Sequence, residues 1–165
     1  METLAVLIPG FVISALICRW TTGEWRLTFS ANLAMCLMLF LTATGHVLFT
    51  KGMAMMVPPF IPFKTAIVYI TGVMEVLMGL ALLVPALRRH TGYAVIVFFI
   101  LLLPANIYGA VVQLNMQQGS YDGPGPEYLW FRVPLQVLFI GWVWYWSVRK
   151  ISAPAPLHTP DMPLA

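Results

Sequence analysis

One carboxylate stands alone in the stretch TGVMEVLMGLALLVPALRRH, residues 71–90: Glu75, with no other charged side chain between Lys64 and Arg88. An acid set in an apolar run is a proton donor or acceptor waiting for partners. His46 and Arg132 are the nearest in kind. A buried acid, a histidine and an arginine suffice for general acid/base work such as a double-bond shift. They also suffice to hold the carbonyl head of an apolar ligand. The spacing supports convergence. Gly72, Glu75 and Gly79 share one helix face, Thr42, His46 and Thr50 share another, Asn106, Gly109 and Gln113 form a stripe, and Arg132 and Gln136 stand at i, i+4. Glu75 and His46 are therefore the candidate catalytic pair, and Asn106, Arg132 and Gln136 the candidate ligand contacts. No metal set is expected. Cys18 and Cys36 lie in apolar runs with no CxxC or CxxH spacing, and read as small buried hydrophobes.

The elements that must position these residues are membrane helices. The chain has 165 residues, 60% hydrophobic and only 9% charged, against about 25% charged in soluble domains. So few charges cannot cover a water-facing surface. Apolar blocks near ~20 residues, the length of one span, occur at roughly 3–20, 31–50, 64–87, 92–112 and 131–148. The first is short and interrupted by Pro9-Gly10. It is kept as a span because Glu2 stands where a signal peptide has basic residues and no small-residue cleavage site follows. Residues 1–150 then form a single transmembrane domain. The tail ISAPAPLHTPDMPLA, 151–165, reads as a disordered cytoplasmic segment with a solvated His158.

Loop charges set the direction. Five spans place Arg19, Arg26, Arg88, Arg89, Arg149 and Lys150 on one side, and Lys51, Lys64 and Arg132 on the other. That bias predicts a bacterial-type cytoplasmic (inner) membrane protein with its N-terminus out and C-terminus in. Trp20, Trp25, Trp142, Trp144 and Trp146 fall toward the inner interface, and Tyr128 and Trp130 toward the outer one, the depths of aromatic belts. The WVWYW run thus reads as an interfacial anchor, and Arg88-Arg89-His90 as the anchor of a tight inner loop. Basic residues occur singly or in pairs at segment ends, so no nucleic-acid partner is expected.

Glu75 lies eleven residues past Lys64, about 16 Å along a helix and near the middle of a core about 30 Å thick. A charge there costs several kcal/mol unless paired, hydrated or neutralised. The glycines beside it admit a neighbouring helix, so Glu75 is expected to face the bundle. His46, Asn106, Arg132 and Gln136 all fall in the outer half. Pro104 and Pro134 free backbone carbonyls there. The loop MVPPFIPFK, 56–64, is too proline-rich for a helix and apolar enough to lie back as a lid. Each residue has a purely structural reading as well. Glu75 and Arg132 could be an interhelical pair, Asn106 and Gln136 interhelical glue, and His46 an interface residue.

The series TGH at 44–46, VPPFIP at 57–62, TGVMEVLMGLALLVPALRR at 71–89, PANIY at 104–108 and LWFRVPLQVLFI at 129–140 resembles the DoxX-like family of small membrane proteins, in order over residues 30–148. The resemblance implies an all-α transmembrane bundle: a DoxX-like four-helix core from spans two to five, plus one extra N-terminal helix. The founding members are small membrane subunits of a thiosulfate:quinone oxidoreductase. The first expectation is therefore an accessory or ligand-binding subunit in quinone-linked redox chemistry, with a quinone as ligand and no covalently bound cofactor. No CxxCH, flavin fingerprint or iron–sulfur cysteine set is present, so electrons need a soluble or membrane redox partner. The bilayer itself and a second copy of the chain complete the expected partners. A membrane enzyme doing acid/base chemistry on a lipid-like substrate is the alternative, and a structural assembly subunit the third reading. A soluble hydrolase is excluded by the lack of GxSxG and HExxH. The topology is open to a simple check. A reporter fused after Ala165 should report a cytoplasmic location and one inserted near Tyr121 an external one; the reverse pair would invert the orientation.

Overall fold

Backbone amides inside a bilayer must bond to one another, which leaves a helix as the only economical form for runs this apolar. The computed structural model describes residues 2–150. The tail 151–165 and His158, read above as disordered and solvated, lie outside the described residues. In chain order the helices are α1 (Glu2–Thr22), α2 (Leu27–Leu48), α3 (Thr50–Met56), α4 (Lys64–Leu83), α5 (Arg88–Val111) and α6 (Leu129–Val143). A 3₁₀ turn, Gly125–Tyr128, leads into α6, and a π turn, Trp144–Arg149, continues it. Among the described residues there is no strand, only an isolated bridge between Asn115 and Ser120. Four helices are long and apolar enough to cross a membrane: Thr3–Thr22, Leu27–Leu48, Lys64–Leu83 and Arg88–Val111. The fifth expected span, 131–148, falls on the rod formed by α6 and its π turn.

The boundaries differ from the sequence expectation in three places. α1 runs straight through Pro9-Gly10. α4 stops at Leu83, because Pro85 follows closely and residues 84–87 turn. Arg88, expected as a surface anchor, is only 8% exposed. It folds back so that Nε donates to the Leu82 carbonyl at 3.0 Å and Nη2 to the Leu83 carbonyl at 3.3 Å, a cation capping the C-terminus of α4.

Helix packing follows the small residues. α2 and α4 share the closest interface. A β-carbon on Gly72 would stand 2.9 Å from His46 Cβ, and one on Gly79 would stand 3.3 Å from Cys36 Sγ. α4 then meets α5, α5 meets α6, and the π turn returns to α2. α1 packs on α2 and buries Leu7 among Ala34, Met38, Leu135 and Phe139. Large apolar side chains such as Leu77, Leu101 and Val137 face outward, as lipid requires and water would not.

The two ends are held differently. At the base, where α4 turns into α5, polar ties cross the helices. Ser147 Oγ donates to Asn32 Oδ1 at 2.7 Å, Asn32 Nδ2 to the Thr28 carbonyl at 2.7 Å, and Trp142 Nε1 to the Ala31 carbonyl at 3.2 Å. Phe11 of α1 stands edge-on to Trp142, with ring centroids 5.3 Å apart. The WVWYW run is thus divided: Trp142 and Trp146 hold α1, while Trp144 and Tyr145 are exposed. At the opposite, cap end, backbone meets backbone. α3, which the sequence reading did not anticipate, packs under the segment 112–124. Of the expected lid, Met56 and Val57 turn inward, whereas Phe60 and Phe63 point away.

A β-carbon on Gly52 would sit 1.9 Å from the Met116 carbonyl oxygen. Gly52→Ala should therefore lower the unfolding temperature in detergent, by the equivalent of about 1–3 kcal/mol. Gly141→Ala, with nothing within 4 Å, should leave it unchanged or slightly raised. Equal behaviour of the two variants would contradict the cap packing.

Candidate functional site

Glu75 is placed by the stripe Val68, Gly72, Glu75, Gly79, Leu82, all buried on α4. With glycine on either side along the stripe, the α4 backbone comes close to α2, and the carboxyl lies beneath His46 and Thr42. Glu75 is 3% exposed. Its Oε2 is fully buried and accepts no hydrogen bond from any described residue. The nearest cationic candidate is His46 Nδ1 at 3.3 Å, within ion-pair range but not aligned as a hydrogen bond. The expected alternative, a Glu75–Arg132 pair, is not formed among the described residues.

His46 has a defined hydrogen-bonding sense. Its Nδ1 lies 3.0 Å from the Thr42 carbonyl. A carbonyl only accepts, so Nδ1 carries the hydrogen in either protonation state. In the neutral ring, Nε2 is then an acceptor, and no described residue bonds it. On the other wall, Asn106 Nδ2 donates to the Leu102 carbonyl at 3.0 Å, which fixes Asn106 Oδ1 toward Arg132 Nε at 3.3 Å. Asn106 thus positions the guanidinium. The two Nη groups of Arg132 have no hydrogen-bond or carboxylate partner among the described residues.

These groups share one cavity of about 760 Å³ beneath the cap, lined by Thr42, His46, Glu75, Asn106 and Arg132 and walled by Met53, Met56, Leu102, Phe131 and Leu135. Volumes of 300–1,000 Å³ with few convergent polar groups on apolar walls are typical of ligand sites. The cavity offers an acceptor on one wall, a cationic donor on the other and a buried carboxyl at the floor. A shallower hollow near the base, lined by Leu16, Ile17, Arg19, Trp20 and Gly23, lacks such convergence.

Four of the five expected site residues, Glu75, His46, Asn106 and Arg132, line this cavity. Gln136 does not. It is buried, and its Nε2 donates to the Phe99 carbonyl, next to the Ile100 carbonyl that Pro104 leaves without its helical donor. It ties α6 to α5. Sequence reasoning missed the rim, where Asn115, Gln117 and Asp122 join the lining. The only local signal was the turn chemistry of GSYDGPG, in which Gly119 and Gly125 adopt positive φ of 63° and 73°. No group of three or more His, Cys, Asp or Glu placed to hold a metal exists among the described residues.

Comparison with known proteins adds a family without a function. The profile of a family described as a domain of unknown function (DUF8561) matches residues 35–148, the stretch that holds every cavity group named above. No curated protein and no solved structure matches the chain.

Gln136→Leu should lower thermal stability by about 0.6–1.5 kcal/mol and leave the cavity's ligand affinity unchanged. Asn106→Leu, which frees the guanidinium, should weaken that affinity at least tenfold. A reversal of these two effects, read by thermal denaturation and ligand titration, would move the site to the α5–α6 seam.

Proposed function

The chain belongs to the DUF8561 family, and on that footing we propose that it is an integral membrane protein binding a lipid-soluble ligand with an oxygen-bearing head, of the quinone or quinol class, in the cavity beneath the cap. The observation that carries this reading is the combination of an unbonded, buried Glu75 Oε2 with free hydrogen-bonding capacity at His46 Nε2 and Arg132 Nη on one cavity wall after another. Buried polar atoms are normally satisfied. A head group that accepts from Arg132 and donates a hydroxyl to His46 Nε2 supplies what those two walls lack. A quinol offers both functions across one ring. Because the sequence holds no haem, flavin or iron–sulfur motif, its electrons would pass to a partner protein. The resemblance to DoxX-like membrane subunits points the same way. It casts α2, α4, α5 and α6 as the family's four-helix core, α1 as an added helix, and the cap end as the outer face.

A second reading has its own support. Glu75 lies beside His46 on the Nδ1 side, the relation in which a carboxylate orients an imidazole and stabilises its cation while Nε2 removes a proton. A lipid-like substrate with an acidic C–H would then be deprotonated at Nε2 and reprotonated from it.

Two measurements separate the readings. Purified protein should release a quinone into organic extract, and a short-chain benzoquinone at about 100 times its Kd should stabilise it by about 2.7 kcal/mol. Arg132→Ala and His46→Ala should lose most of that gain. An empty extract together with no stabilisation counts against the quinone class. In heavy water, acid/base chemistry predicts deuterium entering the bound ligand's C–H positions with wild type and not with Glu75→Gln; equal exchange in both removes the second reading.

A further inference from the structure

Above its base, the bundle has a seam that no pair of helices closes. α2 closely approaches the rod of α6 at its π turn and hardly elsewhere. The ties between them, Trp142 to Ala31 and Ser147 to Asn32, are all at the base. Higher up, α1 fills the seam. Its Leu7 is fully buried in the core, and a β-carbon on Gly10 would lie 3.7 Å from Ala34 and Leu37. Counting back from that contact along two antiparallel helices, Thr3 falls level with Leu41 and Thr44 of α2, and all three line the cavity. The same level holds Glu75, because Gly72 faces His46 and Gly79 faces Cys36.

We infer that the cavity's ligand is a tailed amphiphile that enters sideways from the lipid, between α2 and α6 at the level of Thr3, and leaves its tail there. The inference rests on the ligand-binding reading above and adds the ligand's physical class and its route. The gap is bordered by Leu41 and Leu48 on one side and Tyr128 and Phe131 on the other, with Thr3 as its sill. No charged side chain is among these five. Leu48 and Tyr128 are exposed to the surroundings while also lining the cavity, as residues at a mouth must be. The axial route is built differently. There α3 meets the segment 112–124 backbone to backbone at Gly52 against Met116, and the exposed Gln117 and Asp122, which also line the cavity, give that side a polar, charged rim. The seam is bordered mainly by apolar side chains, which an acyl or isoprenoid chain fits and a wholly polar solute does not. A ligand sliding in at this level meets the Glu75 carboxyl and His46 with its head while its tail still lies in lipid.

Two photoreactive benzoquinones in proteoliposomes test this, one with a diazirine on the ring and one with it on an alkyl tail. Labelling that excess unlabelled quinone suppresses is mapped to residues by mass spectrometry. Ring labelling at His46, Glu75 or Arg132, with tail labelling at Leu41, Leu48, Tyr128 or Phe131, is the expected result. Ring labelling at those positions with tail labelling in 112–124, or between any other pair of helices, would overturn the lateral route while leaving the ligand site standing. Absence of suppressible ring labelling in the cavity would remove both.

Discussion

A carboxyl oxygen that is buried in a helical bundle with no hydrogen-bond partner among the described residues is the constraint from which the rest of this structure follows. In a bilayer an unsatisfied polar atom costs several kcal/mol, and Glu75 Oε2 is such an atom. The bundle surrounds it without satisfying it. Gly72 and Gly79 bring α2 close enough for His46 to lie over it, yet the His46 Nδ1–H is directed at the Thr42 carbonyl. Arg132, which also lines the cavity, has its Nε directed at Asn106 Oδ1 and makes no ion pair with Glu75. Each neighbour is committed elsewhere in a way that leaves capacity facing the same hollow. Such an arrangement is costly as pure architecture.

The two ends of the bundle are tied differently. At the base, the Asn32–Ser147 and Trp142–Ala31 bonds join helices far apart in sequence. The π turn makes this possible. With Lys150 N bonded to the Tyr145 carbonyl five residues back, the added residue per turn brings both Ser147 and Val148 inward, against Asn32 and Gly92. Among the described residues nothing comparable ties α2 to α6 near the cap, where α1 packs between them instead.

Much of this was legible in the sequence, for physical reasons that differ by residue. Helical spans followed from apolar run length alone, and the inward aspect of Glu75 from the glycines at its i−3 and i+4 positions. His46, Asn106 and Arg132 could be placed at similar depths because alternating helices turn similar ends to the same leaflet. What escaped notice depends on single tertiary contacts. Gln136 shares the Arg132 stripe, but a carbonyl of α5 captures it. Arg88 sits in a loop by hydropathy, yet free carbonyls at the end of α4 draw it inward. Trp142 looks like a belt residue until Phe11 and the Ala31 carbonyl claim its two faces. α3 and the segment 112–124 have no periodicity that foretells a roof, since Gly52 is informative only once Met116 is known to lie against it.

The account turns on where one carboxyl points, and solid-state NMR of the protein in bilayers reads that directly. With Glu75 labelled at its side-chain carbon and His46 at its ring nitrogens, a through-space correlation between the two is predicted, with a carboxyl shift that moves when a short-chain benzoquinone is added. A Glu75 carboxyl that correlates with lipid acyl protons and not with His46 would contradict the account.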